Sequence, residues 1–505
     1  MMFNWMLRNQ RVNHESGPAY GMTPEFELYT AVVTASLNEK FYESNDERML
    51  RIIDLVGKVS PEFVAQLVVY TRTQMHLRSI PLLLVVELAR IHNGDDLVAR
   101  TIDKVVLRVD EITELLACYQ LRNPSGHPTK MLSHLSRQVQ NGLQRAFNRF
   151  DEYQFAKYNR QNTTVKLRDA LFLVHPRPKD ENQQRIFDKI ASDSLDVPYT
   201  WETEFSALGQ QHFSSDQEKA LAFTGKWEEL VESGRLGYMA LMRNLHNLLQ
   251  SGVNTHTMQT VCQRLSDPVQ VASSKQFPFR YLAAYREART VDSIETQAVL
   301  TALEAAVKYS ASNISGFNTD TRVLLACDVS GSMRWPISKN SVIEHYDIGL
   351  MLAMLLRHRC HQVVTGIFGD DWMTVNMPQG DILPAVDSLR SLGNKVGFST
   401  NGYKVIDWLI EQRMVVDKVM MFTDMQMWDS TDSGSTLAQS WQQYKQMAPQ
   451  ARLYLFDLKG YGQAPLQLID NDVCLIAGWS DRIFDILHAI ENGCTAIEQI
   501  GQIQV

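Results

Sequence analysis

The sequence predicts a multidomain α and α/β protein: an N-terminal all-α solenoid over residues 1–315, then a doubly wound α/β domain over residues 316–505. Three observations carry this. A chain of 505 residues exceeds one ordinary hydrophobic core. From Thr23 to about Ser312 apolar residues recur with the helical period, and strand-like alternation is scarce. Beyond the run Ser312-Asn313-Ile314-Ser315-Gly316-Phe317-Asn318, short apolar runs alternate with helical stretches, the rhythm of a parallel sheet covered by helices.

In the first half, Thr23-Pro24 and Ser60-Pro61 each read as an N-cap followed by proline at the first helical position, where its missing N–H costs nothing. Met49, Ile52, Ile53 and Val56 form an i, i+3, i+4, i+7 stripe, and Val64, Leu67 and Val68 begin the next. Tyr238, Leu241, Leu245, Leu248 and Leu249 make another, closed by Gly252 as a C-cap. Many helices of roughly 10–17 residues, each with one apolar face and a short linker, suit stacked antiparallel pairs, although no clean repeat period marks them. The second half reads as strand 323–327, helix 342–357, strand 363–368, helices 382–392 and 402–412, strand 419–423, helix 437–446, and strands 453–456 and 473–476.

Composition narrows the class. With 45% apolar and 21% charged residues the chain folds throughout, without long disordered tails. Apolar runs such as 80–88 and 415–422 stop short of the ~18–20 residues a membrane-spanning helix needs. The start, Met1-Met2-Phe3-Asn4-Trp5-Met6-Leu7-Arg8, has no charged n-region ahead of an apolar stretch, so no secretory signal and a cytoplasmic location are expected. Six cysteines, at 118, 262, 327, 360, 474 and 494, form no C-x-x-C pair; zinc and redox motifs are absent, and Cys118 and Cys327 sit in apolar runs as reduced thiols do.

Charge is uneven. Net charge is −8, yet from Arg122 to Lys179 eleven basic residues face three acidic ones, which makes that segment +8 and the remainder −16. A basic island on an acidic chain marks a localised anion-binding surface. Within it, Leu167, Ala170, Leu171 and Val174 form a buried helical stripe and Pro176 stops the helix. His175, Arg177 and Lys179 then alternate along a stiff Pro-rich exit, holding three donors for phosphate at low entropic cost. His175 serves equally as a C-terminal cap favoured by the helix dipole. Lys157 and Arg160, three apart, share one face of the preceding segment.

At the end of the first strand of the α/β half, Asp328-Val329-Ser330-Gly331-Ser332 sets one carboxylate and two hydroxyls in a tight turn. Thr400 follows 72 residues later and Asp424 follows 96 residues after Asp328, each at a predicted strand-end position. Few, hard oxygen donors with water completing an octahedron describe Mg²⁺ or Mn²⁺ better than zinc, and leave a position open for a partner's carboxylate or phosphate. Alternatively, Asp328 is the N-cap of the next helix.

This D-x-S-x-S with its distant Thr and Asp resembles the metal-ion-dependent adhesion site (MIDAS) of von Willebrand factor A domains, with Asp328, Ser330, Ser332, Thr400 and Asp424 as its ligands. In Gly397-Phe398-Ser399-Thr400-Asn401 a phenylalanine and a serine stand where the family has small residues, so Ser399 competes with Thr400. The helical half has its own resemblance. Its runs 150–158 and 166–179, with 70–72 and 77–81, resemble the TROVE module of Ro ribonucleoproteins, whose bacterial members pair it with a C-terminal A domain at about this length.

That resemblance implies a HEAT-like helical ring closed by the A domain. It implies a small noncoding Y-like RNA on the basic outer surface and single-stranded ends of misfolded or structured RNAs in the ring's hole. By motif, Lys157, Arg160 and His175 fall at the Y RNA contacts, with Lys166, Arg177, Lys179, Lys130 and Arg137 in the same island. It also implies an exoribonuclease partner such as polynucleotide phosphorylase, no membrane partner and a monomer. The competing reading is a Mg²⁺-dependent protein-binding adaptor, for which the island is superfluous. Neither G-x-x-x-x-G-K-[ST], H-E-x-x-H nor G-x-S-x-G occurs, so a non-enzymatic role is expected.

Overall fold

The computed structural model describes residues 10–13, 18–35, 45–123, 135–160, 162–310, 320–338, 341–376, 380–427, 436–466, 472–480 and 482–505. Phe3, Trp5, Lys130 and the predicted junction at 312–318 lie outside them. Packing sorts the chain into two compact units, Met1–Leu50 with Phe213–Ile497, and Arg51–His212 with Glu498–Val505. Among the described residues no helix is long and apolar enough to cross a membrane.

The strands of the first unit are β1 (Gln10–Val12), β2 (Pro18–Gly21), β3 (Arg322–Asp328), β4 (Gln362–Phe368), β5 (Trp372–Thr374), β6 (Lys418–Thr423), β7 (Arg452–Asp457), β8 (Gln463–Ala464) and β9 (Val473–Ala477). Six of them form a sheet in the order β5-β4-β3-β6-β7-β9, parallel throughout except where β5 returns along β4. β6 is buried at every position, as a strand covered by helices on both faces must be, which is why it reads as an unbroken apolar run. Phe422 of β6 stacks on Phe456 of β7 with ring centroids 4.4 Å apart. Chain connections leave β3 for β4 on one side, while β6 lies on the other, so the crevice between β3 and β6 is the topological switch point where such sheets take ligands.

Helices Pro278–Ala288 and Thr296–Ser310 pack against the α/β helices His345–Arg359 and Ile382–Leu392 of the same unit. Glu304 accepts the Ile382 and Leu383 N–H groups at 2.7 and 2.9 Å, satisfying donors that begin a helix and have no intrahelical partner. β1, β2 and β8 form a small antiparallel sheet in which Tyr20 lies opposite Ala464. Close by in sequence, the helix Pro24–Val33 buries Tyr29, whose hydroxyl donates to the Ala477 carbonyl at 3.1 Å. The extreme N-terminal strands were not anticipated, because three- and four-residue strands are too short to show alternation.

The second unit is helical. Pro61–Thr73 packs on Ser79–Ile91, Ser79–Ile91 on Val109–Arg122, Leu97–Val105 on Arg137–Phe147, and Leu167–Val174 on Glu181–Ala191. Gly142 makes the third contact: a Cβ there would stand 2.6 Å from Ile102 Cβ, so only glycine admits that approach. Buried Arg72 pairs with buried Glu111 at 2.7 Å, and Glu111 also accepts the Leu107 and Arg108 N–H groups, so neither charge is left desolvated alone. The C-terminal segment belongs here: Arg100, Lys104 and Gln66 donate to the carbonyls of Val505, Gln504 and Gly501.

The proline-led helices start where expected, with Thr23 and Ser60 accepting from Phe26 N–H and Phe63 N–H. Two details differ. Met49 is exposed, and the buried stripe of helix Asn45–Val56 is Ile52, Leu55 and Val56. The stripe from Tyr238 to Leu249 is buried but spans two helices, Tyr238–Arg243 and Leu245–Ser251, broken at Asn244, with Gly252 at φ +64° as the cap.

Candidate metal centre and nucleic-acid interface

All five predicted oxygen donors are buried in the first unit, with Ser330, Asp424 and Asp328 at 0–1% exposure, Thr400 at 3% and Ser332 at 4%. Asp328 ends β3, and its Oδ1 accepts the Ser330 N–H at 2.9 Å while Oδ2 accepts the Thr423 hydroxyl at 2.6 Å. The Ser330 and Ser332 hydroxyls stand 3.2 Å apart. The Gly331 N–H donates to the Phe398 carbonyl at 2.8 Å, so the 328–332 turn is stitched to the loop that carries Thr400. Asp424 follows β6 directly; its Oδ1 accepts the Gln426 N–H at 3.0 Å across Met425, which takes φ +65°. The strand ending at Asp328 is followed by a 3-10 turn over Gly331–Met333 whose N-cap position is Ser330, so Asp328 is not the N-cap of an α-helix.

Burial pushes the Asp328 carboxyl up to about 7, and the Asp424 carboxylate adds to that shift. Hydrogen bonds from Ser330 and Thr423 pull the other way. Two like charges this buried are stabilised by a cation, and two carboxylates with three hydroxyls are the kind of donor set that a small hard divalent ion takes.

Ser399 is otherwise engaged. Its N–H donates to Asp370 Oδ1 at 2.7 Å, and its hydroxyl and N–H together hold Asp370 below the usual carboxylate range. Asp370 also fixes the loop through Gly397, whose φ is +78° and whose missing Cβ would fall 1.9 Å from Asp370 Oδ2. The pair Asp370-Asp371 thus supports the Thr400 loop, Asp371 through its N–H on the Val396 carbonyl at 3.0 Å.

The basic island lies in the second unit. Arg137, Lys157, Arg160, Lys166, His175, Arg177 and Lys179 are all exposed; Lys130 lies outside the described residues. The helix Leu167–Val174 buries Leu167, Ala170, Leu171 and Val174 as the spacing requires. His175 is its C-cap at φ +48°, so it is left-handed rather than extended and both caps the helix and leads the exit.

Helix Arg137–Phe147 holds that exit by its backbone. Gln140 and Gln144 donate to the Val174 carbonyl at 3.1 Å, Gln144 also to His175, and Asn148 donates to Arg177 O and accepts from Lys179 N–H. With the main chain pinned, the side chains of His175, Arg177 and Lys179 remain in water. This clamp was missed in the sequence, although Gln140, Gln144 and Asn148 at i, i+4 and i+8 were its visible signal.

Lys157 and Arg160 do not share a helical face. Helix Glu152–Tyr158 ends between them, because Arg160 belongs to the following loop. Lys157 Nζ lies 5.7 Å from the Tyr153 ring centroid, which is half-exposed, and 5.8 Å from that of Tyr158. Arg160 lines a cleft with Arg78, Asp110, Glu111, Glu114 and Tyr158.

Comparison with known proteins agrees with this architecture. The TROVE domain matches residues 29–224 and 195–345, and the Ro60 vWA domain matches residues 322–490. Telomerase protein component 1 of Rattus norvegicus is 39% identical over 103 residues, 20% of this chain and 3% of that protein. Its Mus musculus counterpart is 25% identical over 317 residues, 49% of this chain and 12% of that protein. RNA-binding protein RO60 of Deinococcus radiodurans is 28% identical over 206 residues, 38% of each chain. The chain thus matches well under half the length of these relatives. The crystal structure of the Deinococcus radiodurans RO (RSR) protein superposes with a TM-score of 0.60 at 17% identity, over 93% of this chain and 100% of that one, a likeness of fold. With the TROVE match running through most of the helical half and the Ro60 vWA match over the α/β half, the chain belongs to the TROVE-domain family of Ro type, with a C-terminal von Willebrand factor A domain.

Proposed function

We propose that the protein is an RNA-binding scaffold of a Ro-type ribonucleoprotein. It holds a small noncoding Y-like RNA on the exposed surface of Arg137, Lys157, Arg160, Lys166, His175, Arg177 and Lys179. It takes single-stranded ends of misfolded or structured RNAs in the hole of a helical ring, for surveillance or degradation, and acts as a monomer without chemistry of its own. The observation that carries this reading is the pinned exit: two cationic side chains and an imidazole on one clamped segment, inside a stretch of net +8. Such a surface grips phosphates with little ordering cost and little base preference. The family membership and the name of the Deinococcus relative, an RNA-binding protein, support it.

The A domain, in this reading, binds Mg²⁺ or Mn²⁺ through Asp328, Ser330, Ser332, Thr400 and Asp424. Its open coordination position takes a carboxylate or phosphate from a partner, an exoribonuclease such as polynucleotide phosphorylase being one candidate. Ultraviolet cross-linking to a structured small RNA with a single-stranded 3′ tail, followed by peptide mapping, tests the assignment. Cross-links should concentrate in peptides from 135–179; their absence there, with cross-links elsewhere or none, refutes the site, and no RNA binding at all moves the function to a metal-dependent protein adaptor.

A further inference from the structure

A second arginine cluster lies in the first unit, outside both the metal donor set and the basic island. A cleft of about 870 Å³ is lined by Arg286, Arg289, Arg334 and Arg390, with the carboxylates of Glu344 and Asp387 and the tyrosines Tyr285 and Tyr346 among the remaining walls. The four guanidiniums are not equivalent. Arg286 is spent: it forks onto buried Asp347 at 2.7 and 2.8 Å and reaches Asp387 at 2.9 Å. Arg289, 54% exposed, shares Asp387, and Arg390 meets Glu344 only at 3.5 Å.

Arg334 has no carboxylate at all among the described residues. It donates to the Val329 carbonyl at 3.2 Å and to Asn394 Oδ1 at 2.7 Å, and its guanidinium lies 4.5 Å from the Phe398 ring centroid. It is therefore held on three sides by neutral groups while its charge stays uncompensated. A guanidinium fixed in this way, with two partly exposed arginines in the same cleft, is a preorganised site for an anion with several oxygens. The volume exceeds what a simple ion fills and lies in the range of small-molecule sites. One ring beside Arg334 is open to a flat ligand, Phe398 at 57% exposure, whereas Tyr285 and Tyr346 in the cleft wall are buried and lie near Arg289 and Arg390.

We propose that this cleft binds a nucleotide phosphomonoester, with Arg334 as the anchor and Arg289 and Arg390 closing on the phosphate. The ligand is either a free mononucleotide or the 5′-terminal phosphate of an RNA, whose doubly charged group complements the cluster. The site is separate from the proposed Y RNA surface, which lies in the other unit, so each stands or falls alone.

The test titrates the full-length protein, in chelator to remove divalent ions, with adenosine 5′-monophosphate, adenosine, inorganic phosphate, a phosphoserine peptide, and a pentaribonucleotide bearing either a 5′-phosphate or a 5′-hydroxyl. The phosphorylated member of a nucleotide pair should bind at least tenfold more tightly than its unphosphorylated partner. Saturable binding of the mononucleotide identifies a free nucleotide as the ligand; binding of the phosphorylated oligomer alone identifies an RNA end. Arg334→Ala and, independently, Arg390→Ala should each lose the preference, the latter touching no backbone contact of the fold. A Lys157, Arg160 and His175 triple alanine variant should retain it. Equal binding of phosphorylated and unphosphorylated ligands, a phosphoserine peptide or inorganic phosphate binding as tightly as the nucleotide, or full retention in Arg390→Ala would overturn the proposal.

Discussion

Single residues decide whether the Thr400 loop and the thiols behave as described. Gly397 combines a positive φ with a Cβ position occupied by Asp370, so Gly397→Ala should destabilise the fold by about 1–3 kcal/mol in chemical denaturation. An unchanged midpoint would mean that the loop is free to move. The cysteines offer a second check. Burial pushes the Cys118 and Cys360 thiols up to about 12 and those of Cys262 and Cys474 up to about 11; buried Cys327 is raised too. Raised thiol pKa values keep the unreactive protonated form at pH 8, with a thiolate fraction of about a thousandth or less. Native protein should label rapidly with a thiol reagent at no more than one of its six cysteines, and at all six after denaturation. Rapid labelling of three or more in native protein would contradict that packing.

Elements carry the site geometry, and here the sequence was informative to different degrees. The strands of the α/β half were legible because a covered parallel strand is an unbroken apolar run, and the D-x-S-x-S turn because its donors fall on alternate residues. β5 and the β1-β2 hairpin were not, since strands this short offer no period. Arg160 was misplaced because helix Glu152–Tyr158 ends at an ordinary Asn159 rather than at glycine or proline. The clamp from Gln140, Gln144 and Asn148 was hidden by the neutrality of its residues. Its prediction is specific: Asn148→Ala changes no charge, yet releases Arg177 and Lys179 and should weaken RNA binding about three- to tenfold, with little change in salt slope. Wild-type affinity in that variant would show that the exit needs no pinning. For the strand-end donors, Mg²⁺ at about 100 times its dissociation constant should stabilise the protein by about 2.7 kcal/mol, read as a rise in melting temperature. Asp328→Ala should abolish the response, and an unchanged response would remove Asp328 from the ligand set.

The whole molecule joins a Ro-type helical half to an A domain, and its net charge of −8 conceals the island on which the RNA reading depends. Length, the change of periodicity after the helical half and the uneven charge were enough to read both halves from the sequence. What the sequence withheld was how packing groups them. Residues up to Leu50 and from Phe213 onward belong with the α/β fold, because Tyr29 bonds to its last strand and Glu304 and Arg286 to its helices, and such long-range hydrogen bonds leave no local pattern.

The most direct measurement is equilibrium binding of a structured small RNA with a single-stranded 3′ tail across a salt series, for the wild type and for the Lys157, Arg160 and His175 triple alanine variant. Each lost phosphate contact should reduce the slope of log affinity against log salt by about 0.7 to 0.9. RNA binding through the island predicts tight, steeply salt-dependent binding by the wild type, with weaker binding and a slope shallower by about 2 in the variant. Equal affinity and equal slope for the two proteins, or no binding by the wild type at low salt, would contradict it.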